Sequence, residues 1–163
     1  MDTAVPPLRS TPKSHRTRTR ILDTALSLFA EQGYHAVTNA VIAKAARLTR
    51  GAMLYHFPSR ETLVTAAIAH IEHRRATLLE AAAAPPASGV DASDHAIDAY
   101  WALLQTPPFL AFAELEAAAR TDSMLAELLR PAQSAFDHAQ LGGEKARRGD
   151  LGRVEALVPF FLV

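Results

Sequence analysis

Between Thr38 and Phe57 the chain gathers residues suited to holding a polyanion rather than to breaking bonds. Thr49, Arg50, Gly51 and Ala52 follow one another, with Leu54, Tyr55 and His56 close behind. Thr49 has the hydroxyl that caps a helix by accepting a backbone N–H, so the exposed opening turn holds Arg50, Gly51 and Ala52. An arginine there has the planar donor fork that matches a guanine edge or a phosphate. Small neighbours let such a helix lie close to base edges in a major groove. The unpaired N–H groups of the same turn also favour a phosphate. Tyr55 and His56, one turn further, reach the nucleic-acid backbone, a contact that positions rather than reads sequence.

Other reactive residue types are scattered. His70 and His73 are three apart, on one face of a helix, but a metal site needs a third ligand and their neighbours Arg74 and Arg75 fit a solvated surface. Trp101, Phe109 and Phe112 are candidates to line a ligand pocket, with Glu114 and Arg120 to orient a polar group. Aromatics at helical spacing serve equally as plain core, and that acid–base pair equally as a surface pair. No Ser–His–Asp set, carboxylate pair or glycine-rich phosphate loop stands out, so neither an enzyme nor a cofactor nor a metal is expected. With no cysteine in the chain, disulfides, thiolate catalysis and zinc–thiolate sites are excluded.

The elements that must position these residues read as helices throughout. Ile21, Leu22, Ala25, Leu28 and Phe29 make one apolar stripe from His15 to Gln32, which Gly33 stops. Thr38 caps a second helix, with Val41, Ile42, Ala45 and Ala46 expected on its inner side. Thr49 caps a third, to about His56, ended by Phe57 and Pro58. Ile42, Ala46, Leu48 and Met53 are placed to form the small core of that pair. Ser59 caps a long helix through Ala84, before Pro85 and Pro86. Asp91 or Ser93 opens the next, to about Leu104; Pro107 and Pro108 open one from Phe109 to Arg120; Asp122 caps the last, from Ser123 to about Gln140. The predicted fold is all-α.

Charge is divided unevenly: Met1 to Arg60 holds nine Lys/Arg against three Asp/Glu, and Glu61 to Val163 eight against fourteen. A basic front suits a nucleic-acid partner. No apolar run approaches the roughly 20 residues of a membrane span, and the opening lacks the pattern of a secretory signal. A soluble, cytoplasmic chain with no membrane partner is expected.

Arg18 to Leu63 resembles the DNA-binding domain of the tetracycline-repressor family. The resemblance is carried by Thr-Arg-Ile-Leu-Asp-Thr-Ala-Leu-Ser-Leu-Phe-Ala-Glu-Gln-Gly-Tyr from Thr19 to Tyr34, by Ile42 to Ala46, and by the unbroken run from Leu48 to Leu63. It implies a one-component repressor, a homodimer on a palindromic double-stranded operator, released by a small-molecule effector bound in the C-terminal helices. By position it implies DNA contacts from Thr38, Thr49, Arg50, Gly51, Ala52, Leu54, Tyr55, His56 and Arg60, the last replacing the family's usual lysine, with Tyr34 touching phosphate or packing. Three residues depart from the pattern. Arg47 stands at the turn glycine, so the turn is strained, or differs in geometry, or gains a phosphate contact from Arg47. Asn39 replaces an apolar residue, and Val41 an acidic one. Arg47, Asn39 and an irregular C-terminal tail motivate an alternative, a helical ligand- or protein-binding module with lost or weak DNA binding.

The expected organisation is a disordered basic arm over 1–14, a helix-turn-helix domain over 15–63, an incomplete helical effector and dimerisation domain over 64–140, and an irregular tail over 141–163. In that tail Gly142, Gly143, Gly149 and Gly152 oppose a helix, and an apolar end from Val154 is broken by Pro159. The abrupt change suggests a truncated or replaced end, which would weaken dimerisation.

Overall fold

The computed structural model describes residues 12–83 and 91–134. The chain divides into two compact units, Met1–Leu129 and Arg130–Val163. Of the second, residues 130–134 are helical. The expected tail from Leu141, and the arm before Pro12, lie outside the described residues.

Helix α1 (Pro12–Gln32) buries Ile21, Leu22, Ala25, Leu26, Leu28 and Phe29. It starts three residues before the expected His15, so Pro12, Lys13 and Ser14 belong to the helix and not to an arm. Proline suits a helix's first residue, because its φ is preset and its missing N–H would have had no partner there. Gly33 ends α1 at φ 75°, its N–H donating to the Phe29 carbonyl at 3.0 Å.

Helices α2 (Asn39–Ala45) and α3 (Arg50–His56) are each capped by the threonine that precedes them. Their common core is Ile42, Ala43, Ala46 and Met53, all buried. Ala43 takes the inward place expected for Val41 and Ala45: Val41 is half-buried and Ala45 exposed. Helix α4 (Arg60–Ala82) opens with a reciprocal cap. The Ser59 hydroxyl accepts the Thr62 N–H at 3.1 Å, and the Thr62 hydroxyl accepts the Ser59 N–H at 3.1 Å. The expected end at Ala84 falls just outside the described residues.

Helix α5 (Ala92–Leu104) is capped by Asp91, which accepts the N–H groups of Ser93 and Asp94 at 2.8 and 3.1 Å. Helix α6 (Pro107–Ala119) starts at its first proline, two residues before the expected Phe109, for the same reason as α1. A further helix opens after Asp122, whose carboxylate accepts the Leu125 N–H at 3.0 Å; Leu125 and Leu129 are buried. Among the described residues no strand occurs. α1 packs against α2, α4 and, most extensively, α6. The α2–α3 pair therefore stands on a long-helix platform made by α1 and α4.

Candidate DNA-binding interface

Everything that α3 offers depends on the turn that delivers it. The Ala46 N–H donates to Ile42, that of Arg47 to the Lys44 carbonyl at 3.1 Å, and that of Leu48 to the Ala43 carbonyl at 2.9 Å. The last two are the paired bonds that close a helix through a left-handed residue, a place usually held by glycine. Arg47 occupies it at φ 54°. The turn thus keeps the geometry of a glycine turn and carries the strain of a side chain, about 1–2 kcal/mol. The Arg47 side chain is exposed.

Beyond the turn, the Thr49 hydroxyl accepts the Ala52 N–H at 3.1 Å. Met53 holds α3 down, being buried, whereas Arg50, Gly51, Leu54 and Tyr55 are exposed and Ala52 and His56 half-buried. Nothing lies within 4 Å of where a Cβ on Gly51 would be, so space around this turn is open. Thr38 is likewise an exposed cap, its hydroxyl accepting the Val41 N–H at 3.3 Å.

Arg60 is turned inward. It donates to the Tyr34 carbonyl at 3.3 Å and to the Asn39 side-chain oxygen at 3.5 Å. Its guanidinium lies 4.7 Å from the Tyr34 ring centre and 5.7 Å from that of Phe29. Asn39, which departs from the family pattern, and Arg60, which replaces its usual lysine, therefore meet, and the polar residue at the start of α2 finds a partner. Tyr34 packs: it is buried, with its ring 5.9 Å from Phe29.

At the other end of α3, Arg18 donates from Nη1 to the His56 carbonyl at 3.3 Å and lies 4.3 Å above the Phe57 ring. Phe57 is buried. Burial and, second, the Arg18 guanidinium hold the His56 imidazole below its ordinary value of 6.5, so it is neutral at pH 7. Sequence reasoning missed this arginine. The available signal was its register: Arg18 heads the line Leu22, Ala25, Phe29, the buried stripe of α1.

Residues 21–67 match the family described as "Bacterial regulatory proteins, tetR family". Over these residues the chain is similar to the tetR family. The chain is 38% identical over 58 residues to the HTH-type transcriptional regulator UidR of Escherichia coli, a match covering 36% of this chain and 30% of UidR. It is 42% identical over 59 residues to the HTH-type transcriptional repressor KstR2 of Rhodococcus jostii, covering 36% of this chain and 29% of KstR2. The matched region thus spans less than a third of either relative. The solved structure of Salmonella enterica GusR superposes with a TM-score of 0.57 at 27% identity, over 83% of this chain and 74% of GusR.

The expected effector residues lie in different surroundings. Phe109 and Phe112 are buried, stacked against the Arg75 guanidinium at 4.8 and 3.9 Å, and Arg75 pairs with Glu72 at 2.6 Å. They are core. Trp101 points outward, 66% exposed, on the same side of α5 as Ile97 and Leu104. Glu114 is exposed, its carboxylate 3.0 Å from where a Cβ on Gly33 would sit, and Arg120 is the exposed C-cap of α6. His70 pairs with Asp23 at 2.7 Å, tying α4 to α1, and no group of three or more metal-ligating side chains occurs among the described residues. No described helix is long and apolar enough to cross a membrane.

Proposed function

We propose that the chain is a DNA-binding transcriptional repressor that lays α3 into the major groove of a palindromic operator, two copies to one site, and leaves it when a small molecule binds its C-terminal helices. The observation that carries the reading is α3 itself: seated by Met53, capped by Thr49, and presenting Arg50, Gly51 and Tyr55 to solvent. Arg50 donates to a base edge or phosphate, Thr38 and Tyr55 to the flanking backbone. Arg47 is an exposed cation at the turn and adds a phosphate contact. Arg60 acts indirectly, by fixing the loop that carries Thr38. The two α3 helices of a pair read half-sites about 34 Å apart.

The alternative, a helical ligand- or protein-binding module with lost or weak DNA binding, rested on Arg47, Asn39 and the irregular tail, which lies outside the described residues. Arg47 takes the left-handed turn all the same, and Asn39 is paired with Arg60. Both relatives in the matched region are transcriptional regulators, which favours DNA over an enzymatic role.

The test is fluorescence anisotropy of a labelled duplex carrying the DNA upstream of the chain's own gene, over a salt series. Affinity should fall steeply and linearly on logarithmic axes, because each neutralised phosphate releases counterions. Salt-independent or undetectable binding would contradict the reading.

A further inference from the structure

We propose that Arg18 is a positioning residue for the recognition helix: it clamps the C-terminal end of α3 to α1 and so fixes the angle at which Arg50 meets DNA. The functional consequence rests on the DNA-binding reading above; the clamp does not.

The two ends of α3 are held in different ways. At its start α3 is held by the Thr49 cap and by the strained turn at Arg47, both local in sequence. At its end the support comes from 38 residues away, where Arg18 grips two consecutive residues. Its guanidinium donates to the carbonyl of His56, the last residue of α3, and covers the ring of Phe57, the residue that leaves it. A cation at a helix C-terminus complements the carbonyl end of the helix dipole. A guanidinium over an aromatic face adds an attraction that also fixes orientation. Phe57 is buried, so the ring that Arg18 covers is itself anchored in the core. α3 is only seven residues long, so holding both ends sets its direction.

The clamp also has a spectroscopic signature. Arg18 is the second cause, after burial, of the low affinity of His56 for a proton. Removing the guanidinium should therefore raise the His56 titration midpoint partway, leaving it below the ordinary histidine value because burial remains.

The experiment compares the full chain with Arg18→Gln and Arg18→Lys by hydrogen exchange and by NMR titration of the His56 ring, with anisotropy on the upstream duplex in parallel. In Arg18→Gln the α3 amides should exchange about five- to tenfold faster, while α4 amides stay within about twofold, because the loosening is local. The His56 midpoint should rise. Arg18→Lys keeps the charge but not the planar stack, so it should hold the midpoint low and restore α3 protection only in part. DNA affinity should follow α3 protection. Unchanged α3 exchange with an unmoved His56 midpoint would overturn the clamp. So would uniform acceleration across α1 to α4, in either variant, since that marks general destabilisation. Should Arg18→Gln not fold, the α3 selectivity of Arg18→Lys decides. If the exchange and titration results appear as expected but the wild-type chain binds no DNA, the clamp stands and the DNA-binding reading falls.

Discussion

At the scale of single residues, two side chains carry measurable costs. Arg47 sits at φ 54° in a turn whose hydrogen bonds require a left-handed residue. Arg47→Gly removes a steric cost of about 1–2 kcal/mol and adds backbone entropy worth about 0.5–1 kcal/mol. The balance should stabilise the fold by roughly 0.5–1 kcal/mol, seen as a higher urea midpoint. If Arg47 meets phosphate, the same variant should bind DNA less tightly despite being more stable. His56 gives the pH dependence. Its proton affinity is lowered by folding, first through burial and then through Arg18. The stability it contributes is therefore complete above its ordinary midpoint of 6.5 and is lost as pH falls below that, toward the folded midpoint. Thermal melts between pH 7 and 5 should show a larger drop for the wild-type chain than for His56→Gln. Equal drops would remove His56 from the account.

At the scale of elements, helix starts were legible wherever a hydroxyl or carboxylate cap was involved. Thr38, Thr49, Ser59, Asp91 and Asp122 all cap as their sequence contexts require, because capping joins residues two or three apart. The two proline starts were placed too late: proline reads as a breaker in a sequence, yet at a first turn it continues into the helix. Pairings across elements were not legible. Nothing local in Asn39 or Arg60 shows that they meet, nor that Arg60 faces the Tyr34 carbonyl rather than solvent. The surroundings of the candidate effector residues were not legible for a related reason. Helical spacing marks an apolar face but not which neighbour covers it, so Phe109 and Phe112 proved to be core while Trp101 is exposed. The inward Arg60 makes a specific prediction. Arg60→Ala should cost about 1–2 kcal/mol of stability, through the lost bond to Tyr34 and the lost stacking on its ring. An Asn39→Ala, Arg60→Ala double-mutant cycle in urea should show the two changes to be less than additive. Full additivity would mean that the pair is not formed.

At the scale of the whole molecule, the basic first 60 residues contain α1 to α3, and the long helices α1 and α4 link that end to α6. The junction is close: the Glu114 carboxylate of α6 lies 3.0 Å from where a Cβ on Gly33, at the end of α1, would sit. α6 packs extensively on α1, whose end leads into the Tyr34 that Arg60 holds. The central claim remains that α3 is the element that meets DNA. Its most direct test is the affinity of Arg50→Ala for the upstream duplex beside that of the wild-type chain, at one fixed salt concentration. Arg50 is exposed at the first position of α3, so its truncation should leave the fold intact. Loss of a bidentate base contact, about 1–3 kcal/mol, predicts roughly 5- to 150-fold weaker binding with an unchanged melting temperature. Equal affinities for the two proteins would contradict the account.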